Sequence, residues 1–165
     1  MWDAGESGVL REWRSLERMF LGQYTHSVDA KGRLTIPVRF RSALASGAYV
    51  TQGFDKNLMV YTTASFERLA ARATSLTTTN PEARAVRRLL FGGATEVSLD
   101  SVGRILLPPF LRDYAGLALE GETVLVGAGE YFEIWSEAGW TKERSAVGDP
   151  ESNAHRFSAF DLSSG

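Results

Sequence analysis

The sequence predicts a β-rich mixed α/β chain made of two tandem repeats that share one core. Three observations carry this. Residues 27–41 (SVDAKGRLTIPVRFR) align with residues 98–112 (SLDSVGRILLPPFLR), with six identical pairs: Ser27/Ser98, Asp29/Asp100, Gly32/Gly103, Arg33/Arg104, Pro37/Pro108 and Arg41/Arg112. The segments downstream recur in the same order, AYVTQ (48–52) with TVLVG (123–127) and LMVY (58–61) with FEIW (132–135). A single unit of this size has few strands and little core, whereas two units can bury their apolar faces against each other as a pseudo-dimer.

The elements follow in chain order. Tyr24, His26 and Val28 alternate with Gln23, Thr25 and Ser27, which is strand periodicity. Asp29-Ala30-Lys31-Gly32 is a turn: Asp accepts from backbone amides two residues on, and Gly32 takes positive φ without a Cβ clash. A four-residue hairpin loop is expected there. Arg33-Leu34-Thr35-Ile36 returns as a strand, with Leu34 and Ile36 inward and Arg33 and Thr35 outward. Pro37 suits the first position of a short helix carrying Phe40, Ala43 and Leu44, closed by Gly47. Tyr49–Gln52 and Leu58–Tyr61 pair around Asp55-Lys56-Asn57. Ser65 is expected to cap one helix, and Asn80-Pro81-Glu82 to open another that Gly92-Gly93 ends. Ser136 starts a helix containing Trp140. The expected division is an extension (1–18), a first repeat (19–64), a helical linker (65–93), a second repeat with its C-terminal helix (94–144) and a flexible tail (145–165). Residues 1–18 carry early acidic residues and no apolar run of a targeting signal, and Met19 is the expected natural start.

Composition removes several classes of function. There is no cysteine, which excludes disulfides, thiol nucleophiles and thiolate metal sites. Only two histidines occur, and no paired-histidine motif or strand–GxSxG–helix elbow is present, so neither a zinc site nor a catalytic site is expected. No cofactor, small-molecule substrate or membrane span is expected either. The net charge of -2 hides an uneven distribution. Residues 19–116 hold 12 Lys and Arg against 7 Asp and Glu, while residues 117–165 hold 3 against 9. A basic body with an acidic C-terminal segment can bind phosphate locally.

The strings FLGQYTHSVDAKGRLTIPVRFR (20–41), NPEAR (80–84), SLDSVGRILLPPFLR (98–112) and VLVGAGEYFEIW (124–135) resemble the MraZ family, from Met19 to about Trp140. The resemblance implies two AbrB-like (SpoVT-AbrB) swapped-hairpin units forming a double-split β-barrel with capping helices. It implies a ring of several subunits that binds direct repeats in double-stranded promoter DNA. It further implies a cytoplasmic, nucleoid-associated transcriptional regulator, a repressor of its own operon of cell-division and cell-wall genes. The family's D-x-x-x-R element maps onto Asp29 and Arg33, and again onto Asp100 and Arg104.

Chemistry supports those positions as DNA readers. Arginine donates two parallel hydrogen bonds to guanine O6 and N7, and a two-stranded ribbon fits the major groove. Arg33 leaves the turn directly. Lys31 at the tip suits a phosphate, Gly32 permits close backbone approach, and Asp29 holds the turn and aims Arg33. The second loop has Val102 in place of Lys31, so Asp100 and Arg104 form a weaker contact or a structural echo. Arg39 and Arg41 either support phosphate contacts or lie on a solvated helix face. The Arg84, Arg87, Arg88 stripe could face DNA, an acidic neighbouring subunit or water, and a subunit contact or a solvated face is the favoured reading. Two competing readings are an AbrB/MazE-like antitoxin, which would use the tail to hold a protein partner, and a purely structural ring.

Overall fold

The computed structural model describes residues 19–162. The extension expected at 1–18 and the last three residues of the tail lie outside the described residues. The first half contains β1 (Gln23–Ser27), β2 (Arg33–Thr35), α1 (Val38–Arg41) with a 3-10 turn (Ser42–Leu44), β3 (Ala48–Gln52) and β4 (Leu58–Thr62). Two helices, α2 (Thr63–Thr74) and α3 (Pro81–Gly92), follow. The second half repeats the order with β5 (Thr95–Val97), β6 (Arg104–Leu106), α4 (Pro109–Ala115), β7 (Glu122–Gly127) and β8 (Tyr131–Ser136), then α5 (Glu137–Val147) and α6 (Pro150–Arg156).

Pairing crosses between the halves. Six strands form one antiparallel sheet in the order β1-β7-β8-β4-β3-β5, and β2 pairs with β6 in a separate two-stranded ribbon. The first strand of each repeat therefore adds to the other repeat: β1 lies on β7, and β5 lies on β3. The sequence suggested that β1 and β2 are the two arms of one hairpin. They meet only near the tip, at a Val28–Leu34 bridge, and then diverge because each arm finds its ladder in the opposite repeat. The sheet does not close into a barrel, for β1 and β5 are free edges. β2 and β6 are three residues long and each runs into a proline two positions on, which cannot extend a ladder.

Alternation along the strands separates two apolar layers. Leu58 and Val60 of β4 join Val50, Phe132 and Ile134 in the main core, together with Leu34 and Ile105 of the ribbon and Phe40 and Leu111 of the short helices. Phe20, Phe40 and Phe132 meet with ring centroids 5.0–5.1 Å apart. Each such side chain contributes about 1.5–3 kcal/mol by leaving water. Met59 and Tyr61 point the other way, onto Ala73 of α2 and Leu90 of α3, where Phe66, Leu69 and Val86 complete the layer. Thr51 is buried on that side and donates to the Leu90 carbonyl at 2.6 Å, which ties α3 to β3. Among the described residues no helix is long and apolar enough to cross a membrane.

Three local expectations are corrected. Pro37 precedes α1 with extended backbone (φ -51°, ψ 138°) and is not its first helical residue. The cap of α2 is Thr62, whose side chain accepts from the Ser65 amide at 3.1 Å; Ser65 lies inside the first turn and is buried. The tail is helical for much of its length. α5 runs to Val147, and Asp149-Pro150-Glu151 opens α6 with the same cap, proline and acid that open α3 at Asn80.

Candidate nucleic-acid interface

Each D-x-x-x-R segment folds into the same turn. The Gly32 amide donates to the Asp29 carbonyl at 3.0 Å, and the Asp29 amide donates to the Arg33 carbonyl at 2.9 Å. This closes a three-residue loop, one shorter than expected, with Gly32 at φ 83°. Asp29 Oδ1 accepts from the amides of Lys31 (2.9 Å) and Arg33 (2.8 Å). Asp29 Oδ2 accepts from Arg33 Nε at 2.7 Å. The second copy repeats this with Asp100, Val102 and Arg104 at 3.0, 2.9 and 2.7 Å, and Gly103 has φ 83°. The Arg33 backbone amide is the main cause that holds the Asp29 carboxyl below the usual carboxylate range; desolvation opposes it, and the Arg33 guanidinium and the Lys31 amide add smaller lowering effects. Arg104 does the same for Asp100.

The ribbon sets the two tips side by side. Its register is Arg33 with Leu106, Leu34 with Ile105 and Thr35 with Arg104, so the repeat-related residues Leu34 and Ile105 sit opposite each other at its centre. Arg104 Nη1 lies 3.7 Å from Asp29 Oδ2, in addition to its own pair with Asp100. Asp29, Arg33, Asp100 and Arg104 thus form one cluster, each side chain about one-third exposed. Sequence reasoning left the second loop as a weak contact or an echo; the structure brings it into the same surface as the first. Within each pair Nε faces the aspartate, which leaves the terminal amino groups of Arg33 as the fork able to meet guanine O6 and N7.

Arg41 and Arg112 do something the sequence did not reveal. Arg41 Nε donates to the Ile36 carbonyl at 2.9 Å, and its guanidinium lies over Gly103 of the other repeat's turn. A Cβ on Gly103 would stand 2.4 Å from Arg41 Cζ. Arg112 mirrors this, with Nε on the Leu107 carbonyl at 3.1 Å and its guanidinium over Gly32. Backbone bonds cross as well, from the Ile36 amide to the Gly103 carbonyl and from the Leu107 amide to the Gly32 carbonyl, both 2.9 Å. Each repeat therefore braces the other's turn. The only sequence signal was the Arg41/Arg112 identity, which does not say which turn each one covers.

Lys31 and Arg39 are exposed. Arg84 donates to the Thr78 carbonyl at 2.9 Å and Arg87 to the Ala73 carbonyl at 3.2 Å. Arg84 is thus engaged with the segment between α2 and α3 and Arg87 with the last turn of α2, so the three arginines do not form a single outward stripe. The second repeat carries Val102, Leu106 and Phe110 where the first carries Lys31, Thr35 and Arg39, and all three are exposed.

The sequence model of the MraZ family, described as "MraZ protein, putative antitoxin-like", matches the chain twice, over residues 19–89 and 90–159. A protein of Herpetosiphon aurantiacus named transcriptional regulator MraZ is 46% identical over 145 residues, which is 87% of this chain and 100% of the relative. Proteins of the same name from Thermomicrobium roseum and Mycobacterium ulcerans are each 49% identical, over 125 and 122 residues, covering 76% and 74% of this chain and 87% and 84% of the relatives. With two matched repeats and similarity running through both turns of the cluster, the chain belongs to the MraZ family.

Proposed function

We propose that this protein is a sequence-specific DNA-binding transcriptional regulator that uses the paired turns as one reading head. The observation that carries the reading is the joining of the two D-x-x-x-R tips into a single partly exposed cluster on a two-stranded ribbon. Membership of a family whose relatives are named transcriptional regulators supports it. Arg33 and Arg104 read base edges, Lys31 and Arg39 meet phosphates, and Asp29, Asp100 and the two turn glycines set the geometry. Arg41 and Arg112 position the turns. The four charges of the cluster cancel in pairs, so attraction to the duplex comes from Lys31, Arg39 and repetition of the head. No catalytic step is assigned to the chain.

In this reading the pseudo-dimer is an AbrB-like swapped-hairpin unit, and several chains form a head-to-tail ring. One head binds weakly; a ring gains from effective concentration when the DNA presents repeats at matching spacing. The target is a set of direct repeats in the promoter of its own operon of cell-division and cell-wall genes, which it represses in the cytoplasm at the nucleoid. Filter binding to the region upstream of its gene tests this. Arg33→Ala is expected to cost about 1–3 kcal/mol on the operator, and Lys31→Ala to weaken all sequences alike and flatten the salt dependence. Wild-type affinity in Arg33→Ala would remove the residue from the site.

A further inference from the structure

The outer face of the ribbon is unlike on its two halves. Leu34 and Ile105 are buried, so strand alternation turns Arg33 and Thr35 of β2, and Arg104 and Leu106 of β6, to the other side. Arg33 and Arg104 are equivalent residues of the duplication, yet their cross-strand neighbours differ: Leu106 stands beside Arg33, and Thr35 beside Arg104. Leu106 is 59% exposed, an aliphatic side chain flanked on this face by polar and charged groups.

We propose that Leu106 is a specificity-determining residue that packs against the 5-methyl group of a thymine adjacent to the base read by Arg33. The proposal rests on the DNA-reading function given above. Cross-strand neighbours hold their Cβ atoms about 4.5–5.5 Å apart, and successive bases of one strand are about 3.4 Å apart, so one such pair reaches neighbouring bases. The thymine methyl is the apolar feature the major groove offers, and leucine has no hydrogen bond to give any other base edge. The nearest neighbours of Leu106 on this face, Arg33 across the ribbon and Arg104 two residues before it, are both cationic and favour a polyanion as the occupant; the exposed Val102 and Phe110 of the same repeat belong to the turn tip and to α4. The ribbon then carries an Arg–Leu half and an Arg–Thr half, and one chain selects a box without two-fold symmetry.

Replacing operator thymines one at a time by deoxyuridine removes only the methyl group and tests the assignment on the full chain. Wild-type protein is expected to lose about fourfold in affinity at one thymine, the value of one buried methyl. Leu106→Ala is expected to bind the parent duplex more weakly and to lose the thymine–uracil difference at that position. The assignment is overturned if no thymine shows the effect in wild type, or if the effect persists in Leu106→Ala. It is equally overturned if Leu106→Ala changes the oligomeric mass in light scattering while the methyl effect is intact, because the leucine then faces another subunit. Arg33→Ala measured alongside separates the two levels. If that variant loses affinity, the DNA-reading function stands even where the leucine assignment falls; if it keeps wild-type affinity, both fall.

Discussion

Asp29 divides its two carboxylate oxygens between two tasks. Oδ1 pins the turn through two amides, and Oδ2 aims Arg33 and approaches Arg104. The fold favours the ionised form, so the folded pKa lies below the unfolded one. The stabilisation is therefore complete above the ordinary carboxylate value, near about 3.9, and disappears as pH falls through the lower folded value. NMR of the Arg33 Nε–H signal is expected to show no change between pH 7 and 5 and to move only in more acid solution. Asp29→Asn keeps the side chain's shape but removes its charge. It is expected to weaken operator binding by less than Arg33→Ala does, with Arg33 Nε–H shifted at neutral pH. Both aspartates and both arginines were legible in the sequence, because an Asp–Gly turn announces itself. Their contact across the repeats was not, because nothing local records that residue 104 comes within 3.7 Å of residue 29.

The turn works as an element because the opposite repeat holds it. Gly103→Ala places a Cβ at positive φ and against Arg41, which must then leave the Ile36 carbonyl. Gly32→Ala meets Arg112 and the Leu107 carbonyl at 3.2–3.3 Å. Each substitution is expected to cost about 1–3 kcal/mol by backbone strain, with Gly103→Ala the worse of the two, as urea unfolding will show. Strand alternation, the Asn80 and Ser136 caps and the pairing of β3 with β4 could all be read from periodicity and capping chemistry. The α6 start was missed although Asp149-Pro150-Glu151 repeats the Asn80 pattern, because its surroundings are polar and small. The α2 cap was placed three residues late, because Thr62 ends a strand as well as starting a helix.

At the scale of the molecule, the duplication interlocks the two halves through their strands. β1 completes the second repeat's side of the sheet and β5 the first's, while β2 and β6 form their ladder with each other. Separate fragments 19–93 and 94–162 are expected to lack a cooperative unfolding transition, and an equimolar mixture to regain one by circular dichroism. The sequence disclosed two like units and a shared core. It did not disclose that their first strands change places, since periodicity identifies a strand's buried face and not its partner. The pairing of β2 with β6 is what brings two ordinary turns into one cluster. The most direct test of that claim is a double-mutant cycle on the ratio of operator to scrambled-duplex affinity, using Arg33→Ala, Arg104→Ala and the double variant. The account predicts that each single variant lowers the ratio and that the double loses less than the two single losses combined, because the arginines act through one cluster. A wild-type ratio in either single variant would contradict it.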